Sequence, residues 1–163
     1  MTTRKGIQIS ILFLFFVSIL PAQKVNAVYK AADLFKRMEP TDTTYILNFW
    51  ATWCKPCMQE LQAIDSVGIS LKDTKTKLIF VNLDFKEKKN QVTSALKNKG
   101  IQSECVLLDE VNGNVYIDRI SQDWTGSIPA TLIKKAKQQI LVDKKLSSEQ
   151  LHSALQKFES ASQ

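Results

Sequence analysis

Two apolar runs, YILNFWA at Tyr45 to Ala51 and LIFVNL at Leu78 to Leu83, are each the length of a strand, the first interrupted only by Asn48. A strand with one wet face alternates apolar and polar residues, whereas an unbroken apolar run is covered on both faces, as in parallel sheets. Around these runs the apolar period becomes helical. Ala31 to Met38 reads as a helix ended by Pro40 with Thr41 and Asp42. Met58, Leu61, Ile64 and Asp65 describe a second helix starting at Lys55, with Gly68 as its expected stop, and Val92 with Leu96 a third, stopped by Gly100. Strand and helix therefore alternate, which predicts an α/β domain.

The remaining elements are shorter. Cys105 to Leu108 (CVLL) reads as a third strand, and Asn112-Gly113 leaves open a hairpin turn or the entry to a helix over Val115 to Asp123. Thr131 to Lys134 and Ile140 to Val142 flank a polar turn as a closing hairpin. A terminal helix begins with Ser147 as N-cap, Gln150 as its capping-box partner and a Leu146/Leu151 staple, and buries Leu151, Ala154, Leu155 and Phe158.

The first residues have a different character. Arg4 and Lys5 precede a short apolar segment, Ile7 to Leu20, followed by Pro21 and the small-residue site Val25-Asn26-Ala27. That layout is a secretory signal peptide, expected over residues 1–27 with a cut after Ala27 and a single domain over 28–163. An uncleaved anchor is the alternative, although the apolar run is shorter than the roughly 20 residues that span a bilayer. Loss of residues 1–27 takes Arg4, Lys5 and Lys24 and no acid, so the formal net charge falls from +6 to +3. The lysines are scattered without interleaved aromatics, which argues against nucleic acid as a partner. Export places the three cysteines where disulfides persist.

Two of those cysteines lie in WATWCKPCMQE, at the expected junction of strand and helix. Backbone N–H groups and the helix dipole there favour negative charge, so Cys54 is placed to react as a thiolate. Pro56 suits a first helical turn, where its missing N–H costs nothing, and Lys55 adds positive charge beside the sulfur. A zinc site lacks ligands, since only Cys105 and His152 remain and neither is suitably spaced; no metal or other cofactor is expected. A permanent staple closing so small a loop would remove little chain entropy, so reversible exchange explains the pair better.

The segment NFWATWCKPC with Glu60 resembles the active-site segment of the thioredoxin superfamily, in particular its exported TlpA/ResA-type thiol-disulfide oxidoreductases. A distant match, Gly126-Ser127-Ile128-Pro129-Ala130-Thr131, is similar to the loop that carries a cis-proline opposite the dithiol. The resemblance implies a thioredoxin-like fold, a central mixed β-sheet flanked by helices. It makes Cys54 the attacking cysteine and Cys57 the resolving one, with Lys55 and Pro56 modulating the redox balance between them. The aspartate that assists resolution in cytosolic thioredoxins is matched here by Asn48, which cannot take a proton as a carboxylate does. Glu60, one turn beyond Cys57, is the expected replacement. Pro129 is expected to be cis, with the backbone of Ile128 pairing to an extended substrate and Trp53 bordering the groove. Trp50 and Trp124 are expected to be packing residues and Cys105 a buried small hydrophobe; His152 has no assigned role.

The expected activity is reduction of disulfides in other exported proteins, in the bacterial periplasm or envelope, with a membrane thiol reductant as donor. Contact with the membrane would come only through a retained leader. An oxidase or isomerase, and a peptide-binding or chaperone module of the same fold without redox turnover, remain alternatives.

Overall fold

A computed structural model describes residues 24–39, 42–122 and 124–161. The expected leader falls mostly outside them. In chain order the elements are β1 (Ala27–Tyr29), α1 (Ala31–Arg37), β2 (Thr44–Trp50), α2 (Lys55–Ser70), β3 (Thr76–Asn82), a 3-10 turn (Lys86–Lys88), α3 (Lys89–Lys99), β4 (Glu104–Leu108), α4 (Asn114–Ile120), β5 (Ala130–Lys135), β6 (Gln138–Val142) and α5 (Ser148–Ser160). They form one mixed sheet in the order β1-β4-β3-β2-β5-β6. The first four are parallel neighbours, while β5 runs antiparallel to β2 and to β6.

Every residue of β2 is buried, which is why its sequence does not alternate. Its side chains still divide by the two-residue strand period. Ile46 and Trp50 join a core under α2, α3 and α5, whereas Tyr45, Leu47 and Phe49 join the opposite core under α1 and α4. Asn48 shares the parity of Ile46 and Trp50 and so points toward α2. α5 starts with the full capping box: Gln150 N donates to Ser147 Oγ at 3.3 Å, and Ser147 N donates to Gln150 Oε1 at 2.9 Å. Leu146 and Leu151 are both buried beside it.

Three details differ from the sequence reading or resolve it. Gly68 does not stop α2, which continues to Ser70; a Cβ at Gly68 would lie 2.6 Å from both Leu78 Cδ2 and Ser103 Oγ, so this glycine permits a close approach of helix to sheet. Gly100, by contrast, does close α3, at φ +66°. The Asn112-Gly113 segment enters a helix, α4, which ends at Ile120; Asp123 lies outside the described residues.

β1 is the element the sequence reading lacks. Its Ala27 pairs with Val106, and the preceding residues are also built into the domain. Val25 is 3% exposed within the α2-side core. Asn26 N donates to Cys105 O at 2.7 Å, and Asn26 Oδ1 accepts from Cys105 N at 2.9 Å. The boundary expected after Ala27 therefore falls inside an element that the sheet uses. A chain starting at Val28 is expected to be less stable than one starting at Gln23 by about 2–4 kcal/mol, from one valine burial and two hydrogen bonds. Parallel denaturant titrations check this, and coincident midpoints would show that Val25 and Asn26 contribute nothing.

Candidate active site

Cys54 is the N-cap of α2, and its sulfur accepts from Cys57 N at 3.3 Å. Two further backbone bonds fix the turn: Cys54 N to Ala51 O at 3.1 Å and Met58 N to Cys54 O at 3.0 Å. Pro56 sits in the first turn, where no helical N–H is lost. The two cysteines form a disulfide, with an S–S distance of 2.02 Å. Their exposures differ, 5% for Cys54 against 0% for Cys57, so an incoming thiol or disulfide meets Cys54.

The loop before β5 closes over the pair. Its Ile128–Pro129 peptide is cis, and Ile128 O lies 3.7 Å from Cys54 Sγ. Two residues hold the loop there. Trp124 packs on Phe49 and Tyr116 and donates from Nε1 to Ser127 O at 2.9 Å, so it is a tether as well as a packing residue. Gly126 has φ +81°, and a Cβ on it would lie 2.8 Å from Ile117 Cδ1.

Beneath the disulfide, Cys57 and Glu60 lie three residues apart on the buried face of α2. Glu60, 1% exposed, accepts at Oε1 from Asn48 Nδ2 at 2.8 Å and at Oε2 from Leu146 N at 2.7 Å. Asn48 Nδ2 also donates to Thr131 Oγ1 at 3.1 Å, while Asn48 Oδ1 is buried without a hydrogen-bond partner. Burial raises the Glu60 carboxyl above its ordinary value of 4.5, against the opposing effects of the Asn48 amide, the Leu146 N–H and the charge of Lys145. Glu60 also forms part of the wall of a surface cleft with Gln59, Lys145 and Gln150.

The other named residues separate clearly. Trp53 is 70% exposed next to Cys54, and Lys55 projects into solvent. Trp50 is fully buried. Cys105 is free and 0% exposed, and burial pushes its thiol up to about 12, so it is inert at neutral pH. His152 is exposed on α5. Among the described residues no group of three or more His, Cys, Asp or Glu side chains is arranged to hold a metal, and no helix is long and apolar enough to cross a membrane. Sequence reasoning missed Leu146 N, Trp124 as a tether, and Asp84, whose carboxylate accepts from Thr52 N at 2.8 Å. An acid directly after the apolar run Leu78 to Leu83 was the available signal for Asp84.

A profile of the AhpC/TSA family matches residues 22–142, most of the chain. The chain belongs to this family, within the thioredoxin superfamily. Among curated relatives it is 35% identical over 80 residues to the thioredoxin-like protein YneN of Bacillus subtilis, covering 49% of this chain and 46% of the relative. It is 30% identical over 103 residues to the sporulation thiol-disulfide oxidoreductase A of the same organism, covering 56% of this chain and 62% of the relative. The chain thus spans about half to three-fifths of the length of these relatives. Among solved structures, a thioredoxin-related protein from Neisseria meningitidis superposes with a TM-score of 0.65 at 19% identity, over 75% of this chain and 89% of that one, a likeness of fold. The family membership agrees with the thioredoxin-like mixed sheet and with a Cys-x-x-Cys pair at the start of α2.

Proposed function

We propose that the protein is a thiol-disulfide oxidoreductase that works outside the cytoplasm and reduces disulfides in other exported proteins. The observation that carries this reading is the unequal burial of the two cysteines at a helix N-terminus, with the Ile128 carbonyl 3.7 Å from the more accessible sulfur. In the reduced protein, the Cys54 thiolate attacks a substrate disulfide, forms a mixed disulfide and releases one substrate sulfur as a thiolate. Cys57 gives up its proton and attacks Cys54, which frees the second substrate thiol and leaves the 54–57 disulfide. Glu60 is the acceptor for that proton, and Asn48 with Leu146 N holds its carboxylate in place. A membrane thiol donor must then return two electrons and two protons. Ile128 and Pro129 line the path of an extended substrate, Trp53 borders it, and Lys55 and Pro56 tune the stability of the disulfide.

Export is supported by the sequence of residues 1–27. Insulin reduction with dithiothreitol tests the activity: the wild type is expected to accelerate precipitation of the B chain and Cys54→Ser to return it to the uncatalysed rate. Equal rates, or no acceleration by either protein, would make this a peptide-binding module instead. The direction follows from the reduction potential, where a value near about −270 mV indicates a reductase and one near about −120 mV an oxidase.

A further inference from the structure

Asp84 follows β3 at the same end of the sheet as the dithiol and is 5% exposed. Its carboxylate accepts from Thr52 N, Thr52 Oγ1 and Asn82 Nδ2, each at 2.8 Å, and its own N–H donates to Asn82 Oδ1 at 3.1 Å. Leu83 N donates to Trp50 O at 2.9 Å. These bonds clasp the exit of β3 to the turn between β2 and α2. One residue beyond the clasp on each side stand Trp53 and Phe85, 70% and 69% exposed. They are the only exposed aromatic side chains among the described residues.

Exposed apolar residues scattered singly are ordinary on a protein surface. These two are not scattered. Each lies one Cα step, about 3.8 Å of chain, from a residue held by the same buried carboxylate. Trp53 directly precedes Cys54. β3 and β5 flank β2 on opposite sides, so the Ile128 loop before β5 and Phe85 after β3 lie on opposite sides of the Cys54 turn. A clasp that fixes both backbones lowers the entropy lost when the two rings hold a ligand.

We propose that Phe85, together with Trp53, determines substrate specificity by taking an aromatic or large aliphatic side chain close in sequence to the disulfide-bonded cysteine of a polypeptide substrate. The inference rests on the redox reading above and supplies its substrate class. In the assayed reaction, two electrons and two protons pass from the Cys54/Cys57 dithiol to the peptide disulfide, giving two peptide thiols, and dithiothreitol restores the dithiol.

The test compares three substrates: a disulfide-linked peptide with phenylalanine near the cysteine, the same peptide with glycine there, and glutathione disulfide. Phe85→Ala is expected to raise KM for the phenylalanine peptide about fivefold to tenfold, from loss of one aromatic contact. The glycine peptide and glutathione disulfide should change by less than about twofold, as expected of a surface substitution away from the sulfur chemistry. Phe85→Trp should keep the preference. An equal change on all three substrates, or none on any, overturns the specificity role while leaving the redox reading intact. Failure of the wild type on every substrate would instead remove the redox reading.

Discussion

A Cys57→Ser variant is expected to stall after the first exchange, holding its substrate on Cys54 as a mixed disulfide that persists on a non-reducing gel. The reason is geometric. Cys54 is the sulfur with surface, and Cys57, fully buried, is reached only from Cys54 itself. Removing Cys57 therefore spares the attack and removes the internal nucleophile that resolves the adduct. Resolution of the adduct in the absence of added thiol should fall by about a thousandfold or more, since no other thiol of the protein can substitute. Cys105, buried in β4 with its thiol pushed up to about 12, is not a replacement. Cys54→Ser should form no adduct at all. Trapping of substrate on Cys57 in that variant, at a rate comparable to Cys57→Ser, would reverse the assignment of attacking and resolving residues.

The parts of the structure that were legible in sequence are those whose cause is local or whose burial is complete. β2 and β3 could be read because strands covered on both faces leave unbroken apolar runs. α5 could be read because its capping box is a contact between residues three apart. Gly100 and Gly68 carry the same residue type for opposite reasons. The first adopts positive φ at a helix end, and the second makes room for Leu78 and Ser103, which only the folded chain brings near. β1 was invisible because three residues with mixed exposure carry no period, and its strand character comes from pairing with Val106 to Leu108.

The candidate site divides the same way. Cys54, Cys57 and the Ile128-Pro129 step stand out as motifs, and the strand-to-helix junction that orients the first two follows from the apolar pattern. The environment of Glu60 does not. Its partner Leu146 N is a backbone group 86 residues away, which no side-chain pattern marks. Asn48 was legible as the residue that lacks a carboxylate, but its use as a donor to Glu60 depends on the parity of β2 and on the packing of α2 over that face. Asp84 shares this character: its role is to join two loops, a property of the pair rather than of either sequence.

Glu60→Gln is expected to slow resolution of a preformed mixed disulfide by about a hundredfold at neutral pH, the lower end of what a positioned proton acceptor contributes, while leaving the first attack nearly unchanged. The amide has the size of the carboxyl but cannot take the Cys57 proton. Wild-type resolution should rise with pH through the raised Glu60 value, and that rise should be missing from the variant. A second measurement separates this role from mere packing. An unfolded glutamate loses its proton near its ordinary 4.5, whereas the buried one keeps it to higher pH. Between those values the native state binds more protons than the unfolded state, so wild-type stability is full below 4.5 and falls as pH rises through the folded value. Glutamine cannot titrate and removes that slope. The amide must also present an N–H toward Leu146 N or Asn48 Nδ2, which adds a pH-independent cost of about 1–3 kcal/mol. Urea unfolding of the oxidised proteins across this pH range should thus give two stability curves that differ in slope as well as in height. Parallel curves would mean that Glu60 has no shifted titration, and an unaltered resolution rate would take away its part in the chemistry.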